Sequence, residues 1–193
     1  MVEFKNVTKK YGDKTVLQNV SLKLQRNAPT VIMGESGKGK TTLMRIAAGL
    51  EKADGGEFLT DGEGIAFMFQ EPRLLPWKTA LENIRLILQG SDTQLAEKYF
   101  SAVGLDISTD GGKYPRELSG GMRQRVAFAR FLAYAEASKA TLLLLDEPFS
   151  ALDEETAKDM ACLLKGFAKD KTLLVVSHDK SDADTLEATI VRI

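Results

Sequence analysis

Apolar and polar positions divide the chain into two kinds of strand. Val2 to Phe4 and the set Val20, Leu22 and Leu24 alternate apolar with polar residues, which predicts half-buried strands of an antiparallel sheet joined through a turn at Tyr11-Gly12-Asp13-Lys14. Thr30 to Met33, Ile65 to Phe69, Thr141 to Leu145 and Thr172 to Val176 are instead continuous apolar runs, the pattern of strands covered on both faces. A short strand from Glu57 to Thr60 is set off by Asp54-Gly55-Gly56 and Asp61-Gly62. Helical spacing appears at Leu43, Ile46, Ala47 and Leu50, predicting a first long helix. It recurs from Thr79 to Leu88 (Leu81, Ile84, Leu88) and from Gln94 to Val103 (Leu95, Tyr99, Val103), with Gly90-Ser91-Asp92 between. A further helix runs to about Glu136, with Val126, Ala129 or Arg130, and Ala133 along one stripe.

Strands alternating with helices imply a largely parallel sheet whose ligands bind beyond the carboxyl ends of the strands. The expected fold class is α/β, a mostly parallel sheet flanked by helices, with an N-terminal antiparallel β subdomain and a small inserted helical lobe. The 193 residues suit one domain, 1–193, in which 1–77 and 117–193 form the core and 78–116 the lobe.

Charge narrows the partners. Twenty-six basic residues against twenty-seven acidic ones leave a net charge of -1, which offers no general attraction to nucleic acid. Arg123 and Arg125 read as solvated or paired on a helix face. No charged leader and no apolar run of bilayer length is present, so the expectation is a soluble cytosolic chain. Cys162 is the only cysteine, so no internal disulfide forms, and its simplest reading is a small hydrophobe.

The chemistry starts at Gly34-Glu35-Ser36-Gly37-Lys38-Gly39-Lys40-Thr41-Thr42, which fits G-x-x-x-x-G-K-[ST] between an apolar strand and a helical pattern. Glycines there let successive N–H groups face one concavity at a helix start, Lys40 reaches the outer phosphates, and Thr41 offers a hydroxyl to Mg2+. Tyr11 either covers the sheet or stacks on a base. Gln70, Asp146-Glu147 and His178 each follow a core strand, so one fold brings them to the edge that holds the phosphate loop. Glu71-Pro72-Arg73-Leu74-Leu75-Pro76-Trp77 is an irregular loop, because its prolines exclude regular structure, yet it carries large apolar side chains. Either Leu74 and Leu75 anchor it to the core, or part of the stretch Leu74-Leu75-Pro76-Trp77 helps line a docking groove.

Leu118-Ser119-Gly120-Gly121-Met122-Arg123-Gln124-Arg125, joined to the phosphate loop and to Leu142-Leu143-Leu144-Leu145-Asp146-Glu147-Pro148, closely resembles the ATP-binding cassette ATPases. The resemblance spans nearly the whole chain, with Tyr11 as an A-loop candidate, Gln70 as the Q-loop, Ser150-Ala151-Leu152-Asp153 as the D-loop and His178 as the switch histidine. It implies a phosphate-loop NTPase fold and ATP hydrolysis by a head-to-tail dimer or pseudo-dimer, with Ser119, Gly120 and Gly121 of one subunit closing on the triphosphate of the other. Glu147 then activates water, His178 bonds the γ-phosphate, and Asp146, Thr41 and Gln70 attend Mg2+. Partners so implied are transmembrane permease subunits at the cytoplasmic face of the membrane and a solute-binding protein, with no nucleic acid. Phe69 to Trp77 looks like the corresponding phrase of importers for nitrate, sulfonates and taurine. A cassette ATPase working in cell division, on chromosomes or at the ribosome is the competing expectation.

Three departures stand out. Lys38 occupies a position where the family has a small residue, and its ammonium either strengthens nucleotide binding or points to solvent. Asn27-Ala28-Pro29 replaces a Gly-Glu turn. The stretch from Gly49 to Phe69 and the tail after His178 are both short for the family, so a compact cassette without an accessory C-terminal domain is expected.

Overall fold

The continuous apolar runs become four of the five strands of one parallel sheet. The computed structural model describes residues 2–60, 64–88 and 93–193, so the turns expected at Asp61-Gly62 and Gly90-Ser91-Asp92 lie outside the described residues. In chain order the elements open with β1 (Val2–Tyr11), β2 (Lys14–Leu24), β3 (Thr30–Met33), α1 (Lys40–Ala47), β4 (Gly55–Thr60), β5 (Ile65–Met68) and α2 (Ala80–Arg85), which runs into a 3-10 turn at Leu86–Leu88. They continue with α3 (Thr93–Ala102), α4 (Ile107–Asp110), a 3-10 turn at Pro115–Glu117, α5 (Gly120–Ala137), β6 (Leu142–Asp146), α6 (Glu154–Phe167), β7 (Thr172–Val176), α7 (Lys180–Leu186) and β8 (Thr189–Arg192).

The main sheet has the order β5-β6-β7-β3-β8, all pairs parallel, and a second sheet has the order β2-β1-β4, all pairs antiparallel. Each buried strand feeds two cores because successive side chains point to opposite faces. Leu143, Leu145, Leu173, Val175 and Val31 face the helices, while Leu142, Leu144, Leu174, Val176 and Ile32 face α1 and the antiparallel sheet. Fully burying one such leucine contributes about 1.5–3 kcal/mol of transfer free energy, which is why this strand register cannot slip.

The helical lobe is legible in the same way. Of the residues picked out by spacing, Leu81, Ile84, Leu88, Tyr99 and Val103 are buried in the core that contains α5, and Leu95 is partly buried against it. Helix α5 itself departs from the expected single stripe, since Val126 to Ala129 and Phe131 to Ala133 are buried together. It lies between the lobe and the sheet, so tertiary contacts cover it on more than one side.

Two further expectations need correction. The first helix is short, because Gly49 at φ +71° closes it. The Gly49 N–H donates to the Ile46 carbonyl and the Leu50 N–H to the Arg45 carbonyl, a left-handed helix stop that leaves Leu50 outside the helix and exposed. Cys162 is exposed on α6 rather than buried as a small hydrophobe. Asn27 takes φ +61°, a left-handed turn conformation that asparagine tolerates where a glycine was expected. Among the described residues, no helix is long and apolar enough to cross a membrane.

Candidate functional site

The phosphate loop leaves β3 and enters α1 through Gly39, whose φ is +90°. A Cβ there would stand 2.7 Å from the Leu17 side chain and 2.8 Å from the Val16 carbonyl oxygen, so the β2 strand presses on the loop and leaves room for glycine alone. No side chain caps α1, and its first intrahelical bond runs from Leu43 N–H to the Gly39 carbonyl. The preceding N–H groups are therefore available to an anion at the positive end of the helix dipole. Lys40 is buried and bends back over the loop, with Nζ donating to the carbonyls of Gly34 and Glu35 at 2.8 Å each. Lys38 instead points outward, its side chain 58% exposed and its Nζ 3.7 Å from a Glu35 carboxylate oxygen. Tyr11 closes the margin of this loop. Its hydroxyl bonds Glu51 and meets Thr42, and burial together with Glu51 raises its pKa.

Beyond β5, β6 and β7, two expected residues meet on the carboxylate of a third. Gln70 Nε2 donates to Glu147 Oε2 at 3.0 Å, and His178 Nε2 lies 2.8 Å from Glu147 Oε1. Glu147 has φ +48°, unusual for a non-glycine residue and costly by about 1–3 kcal/mol, a strain that concentrates where function fixes the backbone. Its N–H donates to the Val176 carbonyl and its own carbonyl accepts from Ser150, so the turn is held from both sides. A cleft of 650 Å³ opens here, lined by Ser150, Leu152, Ser177 and Asp182 as well as Glu147 and His178.

The neighbouring Asp146 is buried, and its Oδ1 has no hydrogen-bond partner. Burial lifts its carboxyl above the usual range, and the Thr41 hydroxyl bonded to it pulls the other way. A buried carboxylate oxygen without a partner is costly, and beside the Thr41 hydroxyl it offers a hard oxygen ligand to a cation. Among the described residues no three His, Cys, Asp or Glu side chains form a metal cage. The donor set therefore fits Mg2+, which keeps most of its waters and leans on substrate phosphates.

Ser119, Gly120 and Gly121 share no hydrogen bond with this group among the described residues. Ser119 caps α5, its Oγ accepting from Met122 N–H at 3.1 Å. A Cβ at Gly120 would meet nothing within 4 Å, whereas one at Gly121 would stand 3.3 Å from the Ala151 carbonyl oxygen. Arg123 and Arg125 spend their guanidinium groups on the carbonyls of Leu118 and Gly104.

Sequence reading missed the supports behind the site. Ser177 Oγ donates to Asp182 Oδ2 at 2.5 Å and accepts from Asp179 N–H, while Asp179 caps α7, so His178 sits between two anchored residues. Burial raises the Asp182 carboxyl, opposed by Ser177 and helped by Asp179. The signal was present as three polar residues closing a strand around a histidine. In α5, Gln124 is buried with Nε2 on the Pro148 carbonyl, and Arg130 holds the carbonyls of Pro72 and Arg73. In the loop after Gln70, Leu74 packs on the core and the half-buried Leu75 has both backbone groups bonded to the Asn83 amide, but Trp77 is 68% exposed.

Comparison with known proteins places these features in a family. A family model described as ABC transporter matches residues 17–150. The aliphatic sulfonates import ATP-binding protein SsuB 2 of Xanthomonas axonopodis pv. citri (strain 306) is 40% identical over 97% of this chain and 65% of its own length. SsuB 1 of Burkholderia cenocepacia (strain HI2424) is 41% identical over 100% of this chain and 60% of its own. The chain thus spans about two thirds or less of these relatives. Among solved structures, the dimeric bacterial ABC transporter cassette MJ0796 is similar with a TM-score of 0.88 at 32% identity, covering 100% of this chain and 94% of that one. The same cassette in a post-hydrolysis state bound to ADP and Pi gives a TM-score of 0.89 at 32% identity, with the same coverage.

Proposed function

The chain belongs to the ABC transporter family, and from that premise we propose that it binds and hydrolyses ATP to drive solute uptake through partner permease subunits. It works as a dimer at the cytoplasmic face of the membrane. Residues 1–77 and 117–193 form the nucleotide-holding core and residues 78–116 the lobe that moves with the permease. The observation that carries this reading is the meeting of Gln70 and His178 on Glu147, directly after Asp146 with its unpartnered Oδ1 and across from a loop with free helix-start N–H groups.

ATP is held by the loop from Gly34 to Thr42, with Tyr11 against the base and Lys40 on the outer phosphates. Asp146 and Thr41, with Gln70 at the margin, would hold Mg2+, which would supply neutralisation of charge on the transferred phosphoryl group. In the free chain both Glu147 oxygens are engaged. As the γ-phosphate arrives, His178 turns to it and frees Oε1 to accept a proton from water. The water oxygen bonds to the γ-phosphorus as the bond to the leaving β-phosphate oxygen breaks. Ser119, Gly120 and Gly121 of a second copy close the other side of the triphosphate. The sulfonate importers among the relatives support uptake as the direction, and a solute-binding protein would then deliver the cargo.

One uptake experiment with two variants tests this. Glu147→Gln should lose both turnover and uptake, by about 10²-fold or more for removal of a general base. Trp77→Ser should keep ATP turnover and lose uptake, because its exposed ring serves the permease. Normal uptake by Trp77→Ser would contradict the docking assignment, and normal turnover by Glu147→Gln the catalytic one.

A further inference from the structure

Helix α5 does more than carry Ser119 at its tip. Its Gln124 amide holds the Pro148 carbonyl, just past Glu147, and about 9 Å further along the axis Arg130 holds the loop just past Gln70. Arg130 Nη2 donates to the Pro72 carbonyl at 2.6 Å and Nη1 to the Arg73 carbonyl at 3.0 Å. Two successive carbonyls face one guanidinium because Arg73 adopts φ +46°, a strained conformation for a long side chain. The Arg73 guanidinium in turn lies 3.7 Å over the Phe69 ring, which brackets Gln70 from the other side.

This arrangement is costly without a purpose. Arg130 is half-buried, its burial lowers its pKa, and it makes no ion pair with a carboxylate among the described residues. A half-buried cation spent on main-chain carbonyls, in a loop that proline keeps out of the sheet, returns geometry rather than ion-pair energy.

We propose that Arg130 is a positioning residue: its forked grip on the Pro72 and Arg73 carbonyls sets where Gln70 meets Glu147 and ties that contact to the helix ending in Ser119. The fork matters because guanidinium presents two parallel donors where an ammonium is a single point charge. Movement of α5, whose tip lies about 15 Å from Arg130, is thereby carried to the Gln70 amide. This inference rests on the assignment of Gln70 given above.

The test is a double-mutant cycle on ATP hydrolysis with Arg130→Met, Arg130→Lys, Gln70→Ala and the Gln70→Ala/Arg130→Met pair, each with its thermal midpoint. Arg130→Met keeps the apolar stem and should lower kcat about 10- to 100-fold, the cost of a misplaced group, with KM for ATP within about twofold of wild type. Arg130→Lys should recover only part of this. Because Arg130 acts through Gln70, the pair should turn over at the rate of Gln70→Ala alone, within about twofold, since residues acting as a unit are non-additive. Wild-type kcat in Arg130→Met, or losses that multiply in the pair, would overturn the inference, as would a fall in thermal midpoint that alone accounts for the loss in both Arg130 variants. Wild-type turnover in Gln70→Ala would instead overturn the assignment of Gln70.

Discussion

Two helices of this protein begin with small residues suited to an anion, and they are finished in opposite ways. The start of α1 is walled in by its own chain. β2 presses on Gly39, Lys40 is buried across the loop, and Asp146 stands at the Thr41 hydroxyl. The start of α5 is left open, since Gly120 has no heavy atom near the position of a Cβ. Ser119 has already spent one acceptor position on Met122 N–H, and a hydroxyl keeps its hydrogen to donate outward. On the proposed function the first holds the nucleotide as a complete site and the second is half of one. The difference teaches where the missing wall comes from, because an open helix start with a self-capped serine gains a ligand only when another body supplies it.

Variants at the two starts should separate accordingly. Lys40→Ala strikes the complete site and should lower kcat/KM for ATP by about 10³-fold, at the upper end for a removed charge-stabilising donor, with weaker nucleotide binding by the isolated chain in a fluorescence titration. Gly120→Asp strikes the half site with room for its side chain. It should leave nucleotide affinity and thermal midpoint near wild type while turnover falls about 10²-fold, because a carboxylate repels the incoming phosphates. Loss of nucleotide binding in Gly120→Asp would erase the distinction. The smallest effect belongs to Lys38→Ser. An exposed pair with Glu35 is worth about 0–1 kcal/mol, so affinity should change by less than about fivefold, and the change should vanish at 1 M salt, where screening acts within about 3 Å.

Much of this contrast was legible in the sequence, and the illegible part has physical causes. Leu142 to Leu145 and Thr172 to Val176 announced buried strands because both of their faces are covered, and the place of Asp146, Glu147 and His178 at the sheet edge followed from chain order, their roles only from the resemblance. Strand β8 was not read, since a four-residue edge strand with Thr189 and Arg192 exposed carries almost no period. Helices α6 and α7 were missed although Asp153 and Asp179 cap them. Leu50 kept helical spacing past the true end of α1, because the stop is set by the backbone of Gly49 and not by apolar pattern. Arg130 looked like one member of a stripe, and nothing in the pattern singled out Asp182. Their partners, the Pro72 and Arg73 carbonyls and Ser177, meet them only once the chain has folded.

The central claim is that the half site of one copy closes over the nucleotide held in the walled-in site of another. Light scattering on Glu147→Gln with and without Mg-ATP measures it directly, because an enzyme that binds ATP but cannot consume it keeps the intersubunit contacts in place. The account predicts one-chain mass without nucleotide and two-chain mass with Mg-ATP, reverting to one chain when Gly120→Asp is added. A single-chain mass under both conditions, or a dimer that forms without nucleotide and survives Gly120→Asp, would contradict it.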